Sequence, residues 1–109
     1  MGYKTHYTLE VLGVDELAAT KIIADLRDIN PEARLAFCSW GGREEPVKWP
    51  EWQEDMTRFS HDYPDVVFLL WGDGENGDDF WRAYFKNGVC EEQEAEIVYP
   101  DPPEWAKGL

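Results

Sequence analysis

Glutamates crowd one short stretch of this chain: Glu91, Glu92, Glu94 and Glu96 fall within six residues. On an extended strand, Glu92, Glu94 and Glu96 share a face by period two, with a rise of roughly 6–7 Å between neighbours. Phosphates along a nucleic-acid strand have a similar separation. Such a row has the chemistry to imitate a phosphate backbone and to lie against the Lys/Arg surface that normally holds one. It equally fits an edge strand whose charge keeps other strands away.

Two further acidic groups stand out. Asp73, Glu75, Asp78 and Asp79 lie in the Gly-rich stretch 73–79. A calcium loop needs six to eight oxygens, and the EF-hand arrangement wants Gly at position 6 and Glu at position 12. That spacing is absent, so the stretch reads as a turn. Glu51, Glu54 and Asp55, with Asp62, recur on the polar side of a helical pattern. Trp49 and Trp105 have no place in any apolar stripe, and Trp is enriched at interface hot spots.

Other chemistry finds little support. His6, Cys38, His61 and Cys90 are scattered singly, without the paired spacing of a zinc site. Nothing places a histidine beside Cys38 as an activating base. There is no Walker or dinucleotide loop. The expectation is a protein without catalytic residues, metal or cofactor, whose two cysteines remain free thiols in a reducing cytosol.

Charge sharpens the picture. Residues 1–43 carry six acids and five bases, whereas residues 44–109 carry seventeen acids and five bases. The formal net charge is −13. Concentrated like charge destabilises a small domain by self-repulsion, so the field has a use, and its natural target is a strongly basic surface. The same charge argues against direct contact with nucleic acid or an anionic membrane. No apolar run of about 18 residues suggests a membrane span, and MGYKTHYTLE lacks the apolar core of an export signal.

The positioning elements follow from periodicity. Tyr3, Tyr7, Leu9 and Val11 alternate with polar residues and predict a strand. Asp15 is a good N-cap for a helix from about 15 to 29, ended at Asn30-Pro31. Leu35 to Trp40 reads as a buried strand, with a short further strand near Val47. Pro50 opens a second helix whose stripe is Trp52, Met56, Phe59 and Tyr63. Val66 to Trp71 reads as a central strand. Phe80 to Lys86 reads as a strand, with a helix as its competitor, and Asn87-Gly88 is a hairpin turn leading into Val89–Tyr99. Residues 1–99 then form one α+β domain, and 100–109 a Pro-rich acidic tail. The simplest architecture is ferredoxin-like: two helices on one face of a mainly antiparallel sheet, extended by a C-terminal meander. Cys38 and Cys90 then fall toward opposite edges, too far apart to bridge.

From Trp49 to Asp101 the chain resembles a known pattern. It includes Trp49, Glu54-Asp55-Met56, Phe59-Ser60, Pro64-Asp65-Val66 and Gly72-Asp73-Gly74-Glu75. It continues with Asp79, Trp81, Tyr84-Phe85-Lys86-Asn87-Gly88 and Ala95-Glu96-Ile97. This is similar to small proteins of phages and mobile elements grouped with the YubB-like ferredoxin-like domains. The resemblance covers about half the chain and implies a setting in the conflict between mobile DNA and host defence, where anti-restriction and anti-CRISPR proteins occur. It supplies no catalytic residue. Val89-Cys90 follows the turn where that pattern has a basic or polar residue.

The combined expectation is a cytosolic acidic inhibitor that binds the basic surface of a nucleic-acid-binding protein, in its sharper form a DNA mimic. The second reading is a small-molecule or nucleotide-binding domain using the aromatic-rich sheet face, with incidental charge.

Overall fold

The computed structural model describes residues 3–75, 79–95, 101–106 and 108. Strand β1 (Thr5–Leu12) leads into α1 (Glu16–Ile29), α2 (Pro31–Ala36) and α3 (Trp52–His61). Strands β2 (Val67–Gly74), β3 (Phe80–Lys86) and β4 (Val89–Glu94) follow, then a 3-10 turn at Glu104–Ala106. The described strands form one sheet in the order β1-β2-β3-β4, with every neighbouring pair antiparallel.

Local chemistry explains most boundaries. The Asp15 carboxylate accepts from the backbone N–H of Ala18 at 2.8 Å, the capping bond its position predicts, worth about 1 kcal/mol. Asn87 (φ 46°) and Gly88 (φ 78°) are both left-handed, as a two-residue hairpin turn of the primed type requires. β2 runs on through Gly72 and Gly74, which the sequence assigns to a turn. Gly72 belongs there because the Trp81 ring lies over it, where a Cβ would come within 2.1 Å.

One expected strand is not formed. Leu35–Trp40 begins inside α2 and is extended only at the isolated bridge between Phe37 and Arg43. The reason is Asn30-Pro31, which ends one helix and starts the next. The Asn30 N–H donates to the Leu26 carbonyl at 3.0 Å, closing α1. Its side-chain oxygen accepts from the Ala33 N–H at 3.0 Å, capping α2. Pro31 takes the first helical position, where its missing N–H costs nothing. The ferredoxin-like order needs a strand between the first two helical segments. The described sheet instead keeps sequence neighbours adjacent, and a third helix occupies the intervening stretch. The coarser architecture stands: α+β, an antiparallel sheet with its helices on one face and a C-terminal meander.

The core lies between helices and sheet. Tyr7, Leu9, Phe68, Leu70, Ala83 and Phe85 alternate inward from the strands. They meet Ile22, Ile23 and Leu26 of α1, Ala33 and Ala36 of α2, and Met56 and Phe59 of α3 in one buried cluster. Trp52 is half-buried and stacks on Trp81, with centroids 4.2 Å apart. The expected short pairing near Val47 is present as a bridge to Thr5, with bonds of 3.0 and 2.9 Å. With the bond from the Leu9 N–H to the Gly41 carbonyl (2.8 Å), it covers the outer edge of β1. Among the described residues nothing pairs with the outer edge of β4.

Candidate functional site

The register divides the glutamates of β4 between two faces. Glu92 sits opposite Ala83 and Glu94 opposite Trp81, so both share the helix-covered side. Glu91 sits opposite Tyr84, and Gln93 opposite Arg82, on the other side. Glu96, the last of the expected row, lies outside the described residues, as does Asp78. Glu91, Glu92 and Glu94 are exposed, and among the described residues none meets a cation.

α3 runs beside this edge. The Gln53 amide donates to Cys90 Sγ at 3.4 Å, and the Gly88 N–H donates to the Ser60 hydroxyl at 2.8 Å. Glu51, at the N-cap just before α3, and Glu54 on the helix are exposed. Glu54 has Arg58 at 3.7 Å, a pair in open water worth little. Glu51, Glu54, Glu92 and Glu94 thus flank one shoulder of the molecule, with Glu91 around the rim.

Other residues singled out by sequence are already engaged within the fold. Asp55 accepts from the Trp49 indole N–H at 2.8 Å and from the Asn30 amide at 3.0 Å. It ties α3 to the start of α2 and to the loop before α3. Trp49 is only 2% exposed and packs edge-on to Tyr7, with centroids 5.2 Å apart. This corrects the reading of Trp49 as a surface anchor: no apolar stripe marks it because it enters the core from a loop. Asp73 pairs with Arg43 at 2.9 Å, and Glu75 accepts from the Lys4 backbone N–H at 2.7 Å. Asp79 accepts from the Tyr3 hydroxyl. Trp105, by contrast, is 84% exposed.

The opposite face of the sheet holds a group that sequence reasoning did not assemble. Register places Thr8, Trp71, Arg82 and Gln93 in one row across all four strands. A second row runs from His6 through Asp73 to Phe80, and a third through Glu10, Leu69, Tyr84 and Glu91. Trp71 and Phe80 are 38% and 46% exposed. The Arg82 guanidinium lies 5.3 Å from the Trp71 ring centroid and 5.5 Å from that of Tyr84. Its Nε donates to the Gln93 side-chain oxygen at 2.7 Å. The Trp71 indole N–H donates to Glu10 at 2.9 Å. A cleft of about 430 Å³ opens here, lined by His6, Arg43, Trp71, Asp73, Phe80 and Arg82 among others. The only sequence signal for it was the density of aromatics in residues 80–85.

Two tyrosines have displaced acidities. Burial pushes the Tyr7 phenol up to about 12, partly opposed by a hydrogen bond from Thr5. Tyr63 is also raised to about 12, first by its hydrogen bond to Asp25, then by burial and nearby negative charge. Neither faces the cleft.

No family model, curated protein or solved structure matches this chain.

Proposed function

We propose that the chain is a protein-binding inhibitor. It docks the acidic edge formed by β4 and the outer face of α3 on the basic surface of a nucleic-acid-binding protein or complex. The observation that carries this reading is on β4. Glu91, Glu92 and Glu94 stand exposed on an edge strand with no cation beside them among the described residues. Carboxylates that are not neutralised at home project their field into solvent and steer a basic partner. The sharper form is DNA mimicry against a host defence complex, the setting that the phage-type resemblance implies. Because the carboxylates lie on both sides of one strand, they suit insertion into a basic cleft better than contact with a flat surface.

The test is kinetic. The first step recovers a basic nucleic-acid-binding partner from a bacterial lysate and identifies it by mass spectrometry. Its association with the wild type is then compared with that of a variant carrying Glu91→Gln, Glu92→Gln, Glu94→Gln and Glu96→Gln together. Affinity should fall at least tenfold, mainly through slower association, with a shallower salt dependence. Equal affinity and equal salt slope would overturn the reading.

A further inference from the structure

We propose that the open face of the sheet binds a small, flat-ringed anion: an aromatic ring joined to one compact carboxylate or phosphate. Arg82 takes the oxyanion, and Trp71 and Phe80 flank the ring.

The posture of Arg82 is the central observation. Arg34, Arg43 and Arg58 each reach a carboxylate, at 2.7, 2.9 and 3.4 Å. Arg27 and Arg82 reach none among the described residues, although the chain holds 23 acids against 10 Lys and Arg, and of these two it is Arg82 that lines the cleft. Its plane is set instead by two aromatic rings and one amide oxygen. These contacts orient the guanidinium without neutralising it. Among the described residues the one hydrogen bond of this side chain is made by Nε, and Arg82 lines the cleft. A guanidinium held this way presents the planar fork that matches a carboxylate or phosphate in bidentate fashion, with little further ordering needed on binding.

The walls suggest what the anion is attached to. Small-molecule sites enclose roughly 300–1,000 Å³ and mix apolar walls with a few placed polar groups. The 430 Å³ cleft fits that description. Phe80 makes no contact with another aromatic ring among the described residues, so its face is open to stacking. Trp71 has its indole N–H taken by Glu10, which fixes the ring and leaves it a purely apolar surface toward the cleft.

Charge decides the size of the ligand. At the rim, Arg43 is already compensated by Asp73. The lining also holds the Glu94 carboxylate, so Arg82 is the one cation of the site without a paired acid, and it suits one compact oxyanion held on the Trp71 side, away from Glu94. A polyanion such as a nucleic-acid strand would run out over a protein of net charge −13. A cationic side chain would meet Arg82 head-on.

The salt response should be opposite in sign to that of the acidic edge. A contact ion pair lies well inside the Debye length of about 10 Å at 0.1 M salt and is screened little, whereas the summed field of acids spread over the whole chain is screened more. Salt therefore screens the general repulsion more than the contact attraction. Binding of the anion should hold or strengthen as salt rises.

The experiment is calorimetric titration of the full chain with adenosine monophosphate and with indole-3-acetate, each against a neutral counterpart, adenosine or indole-3-acetamide. At least one anion should bind with a Kd of about 1 mM or tighter. Its neutral counterpart should bind at least tenfold more weakly. The nucleotide arm assigns a phosphate ligand, and the indole arm a carboxylate. Arg82→Gln should lower affinity at least tenfold and Arg82→Lys by less. The exposed Phe80→Ser should weaken binding and leave the thermal melt near wild type, so it carries the test should Arg82→Gln fail to fold. The variant with four glutamines on and after β4 removes the Glu94 carboxylate from the cleft lining, so it should bind the anion as well as wild type or better while it loses the basic partner, and the opposite signs separate the two sites. Absence of saturable binding for both anions would overturn the proposal. So would binding that neither Arg82→Gln nor Phe80→Ser changes.

Discussion

On the helix-covered face of the sheet, Phe68, Leu70, Ala83 and Phe85 are sealed from water by α1, α2 and α3. On the other face, Trp71, Phe80, Arg82 and Tyr84 come from the same two strands, yet none is fully buried. Leu69 is buried there without joining the main core. Its row neighbours Glu10 and Tyr84 flank it across the strands. The difference teaches how one antiparallel sheet separates two tasks. The covered face holds the fold together through apolar burial. The open face keeps aromatic and cationic groups in fixed positions with solvent access, as a binding surface needs.

Five measurements would break or sharpen that contrast. Phe59→Ala, at the contact of α3 with the sheet, should cost roughly 3–5 kcal/mol in urea melts, as large-to-small core changes do. A loss under about 1 kcal/mol would mean that the covered face is not where stability resides.

The next effect is on pH. Tyr7 belongs to the covered face, and its folded-state pKa of about 12 exceeds its ordinary value of 10.0. The folded state holds this proton more tightly. Its contribution is therefore complete below about pH 10 and is lost as pH rises toward 12. A two-unit shift corresponds to about 2–3 kcal/mol. Tyr7→Phe should flatten alkaline unfolding, and Tyr63→Phe should remove a further part. Unchanged alkaline melts in Tyr7→Phe would contradict the burial argument.

Asp55→Ala should cost about 2 kcal/mol, because the Trp49 indole and the Asn30 amide lose their shared acceptor. Asp55→Asn, which keeps one acceptor oxygen, should cost less. A variant of normal stability with impaired partner binding would return Asp55 to the acidic docking surface.

Trp71→Ala on the open face should cost about 1 kcal/mol, through lost cross-strand and cation–π contacts. A loss as large as that of Phe59→Ala would erase the distinction between the faces. The smallest effect belongs to the quadruple glutamine variant. Its stability should match the wild type within about 0.5 kcal/mol or improve slightly as repulsion is relieved. Marked destabilisation would show that these glutamates hold structure.

Several elements were legible from local chemistry. The alternation from Tyr7 to Val11, the Asp15 cap, the Met56–Phe59 stripe and the Asn87-Gly88 turn each encode a backbone preference within a few residues. The same is true of the exposed edge strand bearing Glu91, Glu92 and Glu94. Leu35–Trp40 was misleading because a short apolar run is compatible with helix or strand, and the cap at Asn30 decided it. Trp49 was misleading because a loop residue enters the core without periodicity to announce it.

The sequence by itself determined the charge asymmetry, most of the elements and which residues of a strand share a face. It did not determine which face the helices would cover, nor which residues of different strands would meet. Period two places Trp71 with Leu69, and Arg82 with Tyr84, but only pairing register sets Arg82 beside Trp71 and Gln93. A slip of one residue between strands would send those side chains to opposite faces. Register is fixed by burying Phe68, Leu70, Ala83 and Phe85 under distant helices, so the aromatic and cationic cleft is a product of tertiary packing.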